Sequence, residues 1–278
     1  KFFDGRGRIL VLRPDLTTPA ARIAATKLKD SPLPLRISYV GEAFRYDEGG
    51  DSRQRRKEFT QAGVEILGVS GPEADAEVIA TAVAAVRAAG LEDFQVDVGQ
   101  VEFFGGVIEA AGFDETQSET VRLLIDGKDY PGLEKFLKKC NLDGDVKNLI
   151  MELPGMFGSR DVIDRACRHA SVGRARLAVE NLRSICDIIE DYGCGKYISI
   201  DLGMIPGMGY YTGTVFRGFT RGLGFPIFSG GRYDRLTGNF GREMPATGFA
   251  VGINRLMIAL EKRGIKVDAR RNADAVVA

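Results

Sequence analysis

Phe44-Arg-Tyr-Asp47, a polar run with glycines from Glu48 to Lys57, and then Glu58-Phe-Thr-Gln-Ala-Gly-Val-Glu-Ile-Leu-Gly68 form the stretch that decides the fold. Leu35 to Glu42 (LRISYVGE) precedes it and alternates like a half-buried strand; Phe59 to Leu67 does the same. The pair reads as two strands joined by a polar loop. Arg45 and Asp47 then stand at the end of the first strand, where a planar guanidinium can grip a carboxylate or phosphate or simply pair with its neighbour on the surface. Gln61 and Glu65, four apart on the second strand, share one face of the sheet. An amide and a carboxylate side by side over a sheet are expensive to bury unless something polar meets them.

Working outward, Lys1 to Leu12 reads as two short strands turning near Asp4-Gly5, followed by the loop Leu12-Arg-Pro-Asp-Leu-Thr17 and a helix. Asp15 and Thr17 there suit either an amino group or the cap of that helix. Ser70-Gly-Pro-Glu73 has capping-box spacing with Pro72 just inside the helix start, Ile79, Val83 and Val86 share a helical face, and Gly90 stops it. Phe94 to Val98 alternates as a strand and leads into a helix through about Ala111. From about 114 to 193 the pattern turns helical, with Leu133, Phe136 and Leu137 at helical spacing and a periodic stretch from Val172 to Tyr192. Strands return at Tyr197 to Leu202, Tyr210 to Phe219 and Gly224 to Gly230, and Gly248 to Lys262 runs from strand into amphipathic helix. Strands separated by a helical interruption predict an α+β fold with an antiparallel sheet flanked by helices.

Composition narrows the function. Lys+Arg and Asp+Glu each number 38, so no excess basic charge serves non-specific nucleic-acid binding. No apolar run approaches the roughly 20 residues of a membrane span, and the expected setting is cytoplasmic. The cysteines, Cys140, Cys167, Cys186 and Cys194, form no Cys-x-x-Cys pair, and His169 is the only histidine. Cys167 reads as a buried thiol beside it, and neither metal nor cofactor is expected. Glycine is unusual: 35 of 278 residues, with 12 between Gly203 and Gly248. That concentration suits tight hairpins, and close approach of backbone to a ligand. Tyr210, Tyr211 and Tyr233 place phenols among those glycines, and Arg255 opens the last helix after a glycine-rich strand end, a natural anion contact.

In order along the chain, these segments are specific. FRYD, the loop and EFTQAGVEILG resemble the second signature of class II aminoacyl-tRNA synthetases, and GFAVGINRL resembles the third. YYTGTVF and SGGRYDRL resemble the histidine-specific segments of the histidyl-tRNA synthetase family, and LRPDLT resembles its amino-group loop. The resemblance covers about 1 to 112 and 194 to 262. It implies a histidine site in which Asp15 and Thr17 meet the α-amino group, Gln61 sits at the pocket, and Glu65 and Tyr211 meet the imidazole with Tyr210 and Tyr233 beside them. Arg45 would contact the carboxylate or α-phosphate. With Asp47 and Arg255, which would face the γ-phosphate end of ATP, it would form a nucleotide-binding remnant. An imidazole held between a carboxylate and a phenol has both ring nitrogens satisfied.

The departures from that pattern bear on activity. Where the synthetase motif reads Arg-Gly-Leu-Asp-Tyr-Tyr, this chain reads Pro206-Gly207-Met208-Gly209-Tyr210-Tyr211, and Asn254 replaces a usual glutamate. Loss of one positioned charge that stabilises a transition state costs about 10² to 10³ in rate. The resemblance therefore implies a non-catalytic histidyl-tRNA synthetase-like chain of the type that regulates ATP phosphoribosyltransferase in histidine biosynthesis. Its implied partners are a short-form catalytic subunit, a second copy of itself and histidine as effector, with no role for tRNA or membrane. The alternative it implies is a histidyl-tRNA synthetase or histidine-activating paralogue. The expected organisation is a first part of the core at 1–112, a helical insertion at 113–193, a second part at 194–264, and a linker or the start of a further segment at 265–278. A first class II signature is expected before Lys1, and no anticodon-binding segment is expected in the 16 residues after Lys262.

Overall fold

β1 (Phe2–Phe3) and β2 (Ile9–Leu10) turn back on each other around Asp4, whose carboxylate accepts the backbone N–H groups of Arg6 and Arg8. α1 (Thr17–Thr26) follows and buries the alanine face formed by Ala20, Ala21, Ala24 and Ala25. These elements belong to a computed structural model that describes residues 2–45, 57–169, 173–205 and 210–265. The expectations for Asp47, Pro206 and Gly209 fall outside those residues.

β3 (Leu35–Phe44) and β4 (Glu58–Leu67) pair antiparallel over their full lengths, from Leu35 opposite Leu67 to Phe44 opposite Glu58. The first strand thus runs two residues beyond the predicted Glu42. α2 (Pro72–Ala88) starts at an extended Gly71 without a side-chain cap, so the capping box predicted at Ser70 does not form. Pro72 explains why: proline favours the first helical position and drives the residue before it into extended backbone, which makes Gly71 the cap. Asp114 and Gln117 form a capping box instead, at the start of a later helix. After β5 (Gln95–Gln100) and α3 (Val101–Ala111) come α4 (Glu115–Asp126), α5 (Tyr130–Leu137), α6 (Gly144–Glu152), β6 (Phe157–Gly158), α7 (Asp161–His169) and α8 (Arg174–Asp191). β7 (Ile198–Asp201), β8 (Thr214–Phe219), β9 (Phe228–Arg232), β10 (Ala246–Gly252) and α9 (Ile253–Lys262) complete the described chain.

Eight strands form one sheet in the order β3-β4-β10-β9-β8-β5-β7-β6. Its pairs are antiparallel except β5 with β7, so the sheet is mixed rather than purely antiparallel. The reason is the connection: β5 reaches β7 through α3 to α8, and a long helical crossover is what a parallel pair requires. Three predicted strands are shorter than expected: β7 covers only Ile198–Asp201, because Tyr197 closes the 3-10 turn before it. β8 begins only at Thr214, because Tyr210 and Tyr211 turn their rings over the sheet, and β9 begins at Phe228, since Pro226 has no N–H for the ladder.

The main core lies on one face, where Ile79, Val83 and Val86 of α2 and Leu182, Ile185 and Ile189 of α8 bury against Val96, Val98, Phe216, Phe228 and Phe249. A smaller cluster on the opposite face joins Ala24 of α1 to Leu67, Tyr233, Met244 and Ala246. Cys167 is half-buried on α7 and accepts from Arg183 at 3.4 Å, so it is not the fully buried thiol expected. Among the described residues no helix is long and apolar enough to cross a membrane, and no cluster could hold a metal.

Candidate functional site

Alternation along the central strands sets which side chains meet. Gln61, Gly63 and Glu65 of β4 share the face that carries α1, and their neighbours across β10 are Gly252, Ala250 and Gly248. Gly248 in turn stands opposite Gly231 of β9. This row of glycine and alanine makes a shallow trough with Glu65 at one end. A Cβ at Gly248 would overlap the Glu65 carboxylate, and one at Gly231 would stand 2.8 Å from the Tyr211 ring. Glycine at Gly248 is therefore what gives Glu65 its place.

Glu65 is 1% exposed and accepts a hydrogen bond on each oxygen, 2.9 Å from the Tyr39 hydroxyl and 2.5 Å from that of Tyr233. Burial pushes its pKa up to about 7. The two phenols and Thr17 pull against that rise, and the negative charge of Asp15 adds to it. Burial also raises the phenols of Tyr39, Tyr210, Tyr211 and Tyr233, with Glu65 next to them as a further cause, so all four remain neutral donors. Tyr210 packs tilted on Tyr211 with centroids 4.6 Å apart and edge-on to Tyr233 at 6.1 Å. The result is a carboxyl group walled by aromatic rings, complementary to a flat, cationic or N–H-bearing ligand.

Asp15 and Thr17 come to this place from the start of α1. One Asp15 oxygen accepts the Thr18 N–H at 2.7 Å, so the capping role is filled. The same carboxylate still acts electrostatically on Glu65, Tyr39, Tyr210 and Tyr211. Thr17 lies 3.3 Å from the Tyr39 hydroxyl. Gln61, four residues before Glu65, is roughly 13 Å along the strand, and its Oε1 is buried without a hydrogen-bond donor. An orphaned acceptor of this kind invites an N–H from a ligand.

Arg45 and Arg255 flank the Gln61 end and do not reach Glu65 by any described contact. Arg45 stacks on Phe59, 5.1 Å from its centroid, on the trough's face. Arg255 lies 5.0 Å over the Phe225 ring and donates to the Pro226 carbonyl at 2.8 Å. Asn254 accepts the Thr60 N–H at 3.0 Å, tying α9 to β4.

Two residues at the trough escaped the sequence reading. Tyr39 faces Gly63 in register, and a Cβ at Gly63 would collide with its ring and hydroxyl; only the pairing of β3 with β4 reveals it. Arg217 of β8, in register with Ser229 and Asp97, lies near enough to Tyr211 to act on its phenol.

Comparison with known proteins agrees with this architecture. A family model described as histidyl-tRNA synthetase matches residues 1–256. An ATP phosphoribosyltransferase regulatory subunit from Acetivibrio thermocellus is 58% identical over 271 residues, 98% of this chain and 64% of that protein. Another from Thermoanaerobacter sp. is 43% identical and covers 95% of this chain and 68% of its own. The chain thus spans just under two thirds of the A. thermocellus protein. The crystal structure of an ATP phosphoribosyltransferase regulatory subunit/histidyl-tRNA synthetase from Bacillus halodurans superposes with a TM-score of 0.86 at 37% identity, over 93% of this chain and 67% of that one. Histidyl-tRNA synthetase from Nostoc sp. PCC 7120 gives 0.76 at 27%, over 92% and 61%. A class II synthetase-like sheet, the tyrosine-walled Glu65 and these relatives converge: the chain belongs to the histidyl-tRNA synthetase-like family of ATP phosphoribosyltransferase regulatory subunits.

Proposed function

We propose that this chain is the histidine-binding core of a non-catalytic regulatory subunit, which activates a short-form ATP phosphoribosyltransferase catalytic subunit and transmits feedback by histidine. The observation that carries the reading is Glu65, buried with neutral phenols on both oxygens. The imidazole of histidine lies against that carboxyl, its ammonium near Asp15 and Thr17, and its carboxylate toward the arginine end of the trough. Histidine shifts the assembly only by the difference in its affinity for two arrangements. On the same reading 1–112 and 194–264 form the core, 113–193 the insertion and 265–278 a link to a further segment; the subunit pairs with a second copy, works in the cytoplasm and needs no cofactor.

A second reading, a histidine-activating enzyme, draws on Arg45 and Arg255 at the end of the trough. One pair of measurements separates them. Calorimetric titration with L-histidine is expected to show saturable binding, and histidine-dependent ATP–pyrophosphate exchange is expected to be absent. Exchange at an ordinary synthetase rate establishes the enzyme. No heat with histidine, with or without ATP, removes the pocket. Co-purification with the catalytic subunit tests the partner.

A further inference from the structure

The Tyr39 hydroxyl stands between the two ends of the trough. It has one hydrogen, and that hydrogen points at Glu65 Oε1, 2.9 Å away. Its contact with Thr17 at 3.3 Å must then run the other way, with the threonine hydroxyl donating and the phenol accepting. Thr17 also hydrogen-bonds Glu65, so its hydrogen is spent on two inner acceptors, Tyr39 and Glu65, and its lone pairs are left for a donor arriving from the trough. A threonine so arranged accepts from an ammonium and repels a carboxylate. The ring itself is held in place by the absence of a side chain at Gly63, directly opposite it on β4.

From this geometry we propose that Tyr39 is a positioning residue, which orients Thr17 toward a ligand ammonium and Glu65 toward a ligand ring N–H, so that the two ends of the ligand are recognised as a unit. The inference rests on the histidine reading of the site and adds a directed chain, Thr17 to Tyr39 to Glu65. It predicts selectivity for amino acids over their des-amino analogues beyond what Asp15 alone supplies.

The experiment measures affinities for L-histidine and for imidazole-4-propionate, which lacks the amino group, by calorimetry on the wild type, Y39F, T17V and the double variant. Y39F keeps the ring and removes only the link. It is expected to weaken histidine binding about tenfold, the scale of one hydrogen bond, and to lower the preference for histidine over the des-amino analogue by a similar factor. T17V and Y39F should be non-additive, the double variant losing no more than the worse single one. G63A, whose methyl would fall on the Tyr39 hydroxyl and 2.6 Å from the Phe249 carbonyl, should lower the same preference, its fold checked by circular dichroism. Wild-type binding with an unchanged preference in Y39F or G63A, or additive losses in the cycle, overturns the inference alone. A wild type that binds neither ligand overturns the histidine reading and the inference with it.

Discussion

Two carboxylates, each 1% exposed, are buried against opposite faces of the same sheet, and what answers each one distinguishes scaffold from site. Asp75, in the first turn of α2, meets the Arg232 guanidinium at 3.0 Å and the Thr214 hydroxyl at 3.1 Å. Arg232 also donates to the Val69 and Gly71 carbonyls and to Asp234. Glu65 has the same burial and receives only neutral hydroxyls, those of Tyr39, Tyr233 and Thr17, while the negative Asp15 stands nearby. Burial raises both acids, but beside Asp75 a cation opposes the rise. The paired acid is a joint between α2 and the GGRYD segment whose charge is met inside the protein, through Oδ2, while its Oδ1 is buried without a hydrogen-bond donor. The phenol-held acid has no cation among its described contacts, as the proposed histidine reading requires.

Breaking this joint should have the largest effect. R232M leaves Asp75 buried without its cation, and chemical denaturation should show a loss of about 3–5 kcal/mol. Replacing both partners, D75L/R232M, should recover most of it, because the cost lies in the stranded charge rather than in the missing bond. A double variant as unstable as the single one would mean that the joint does more than neutralise Asp75.

At Glu65 the same kind of test should come out with the opposite sign. Folding raises its pKa from 4.5 to about 7, so the folded chain holds this proton more tightly than the unfolded one. The group's contribution is full below pH 4.5 and is lost as pH climbs through 7, on the order of 3 kcal/mol. E65Q cannot titrate. Its stability relative to wild type should therefore improve between pH 5 and pH 8, while histidine binding falls at least a hundredfold. A stability difference that stays flat across that range would show that Glu65 is not carrying the burial cost assigned to it.

The contrast also explains what could be read in advance. Period-two alternation exposed β3 and β4, and the four-residue spacing put Gln61 and Glu65 on one face, because both follow from local backbone geometry. Tyr39 and the Asp75–Arg232 joint depend on register between strands and on a helix laid across them, which no local pattern encodes. Arg232 and Tyr233 are adjacent in sequence, yet one points to the Asp75 joint and the other to Glu65. Of the two local start signals at 70–73, Pro72 at the helix start held and the Ser70 cap did not. The synthetase resemblance supplied roles for Asp15, Thr17 and Tyr211 that spacing alone left open.

The smallest effect is also the one most specific to a phenol-held acid. A free imidazole titrates near pH 6.5 and Glu65 near 7, so the complex needs one proton shared between them. Below about pH 6.5 both partners carry one, and binding must release a proton. Above about pH 7 neither does, and binding must take one up. Affinity for histidine should therefore peak between those values and fall by up to tenfold per pH unit on either side, about 1.4 kcal/mol. Calorimetry in buffers of different ionisation enthalpy reads the proton directly, with release expected at pH 5.5 and uptake at pH 8. E65Q should lose the uptake limb, since an amide leaves no acid to recharge. Had Glu65 been paired with an arginine, as Asp75 is, its carboxylate would stay charged across this range and the uptake limb would reflect the ligand alone. The same sign of proton transfer at both pH values would place the imidazole somewhere other than on Glu65.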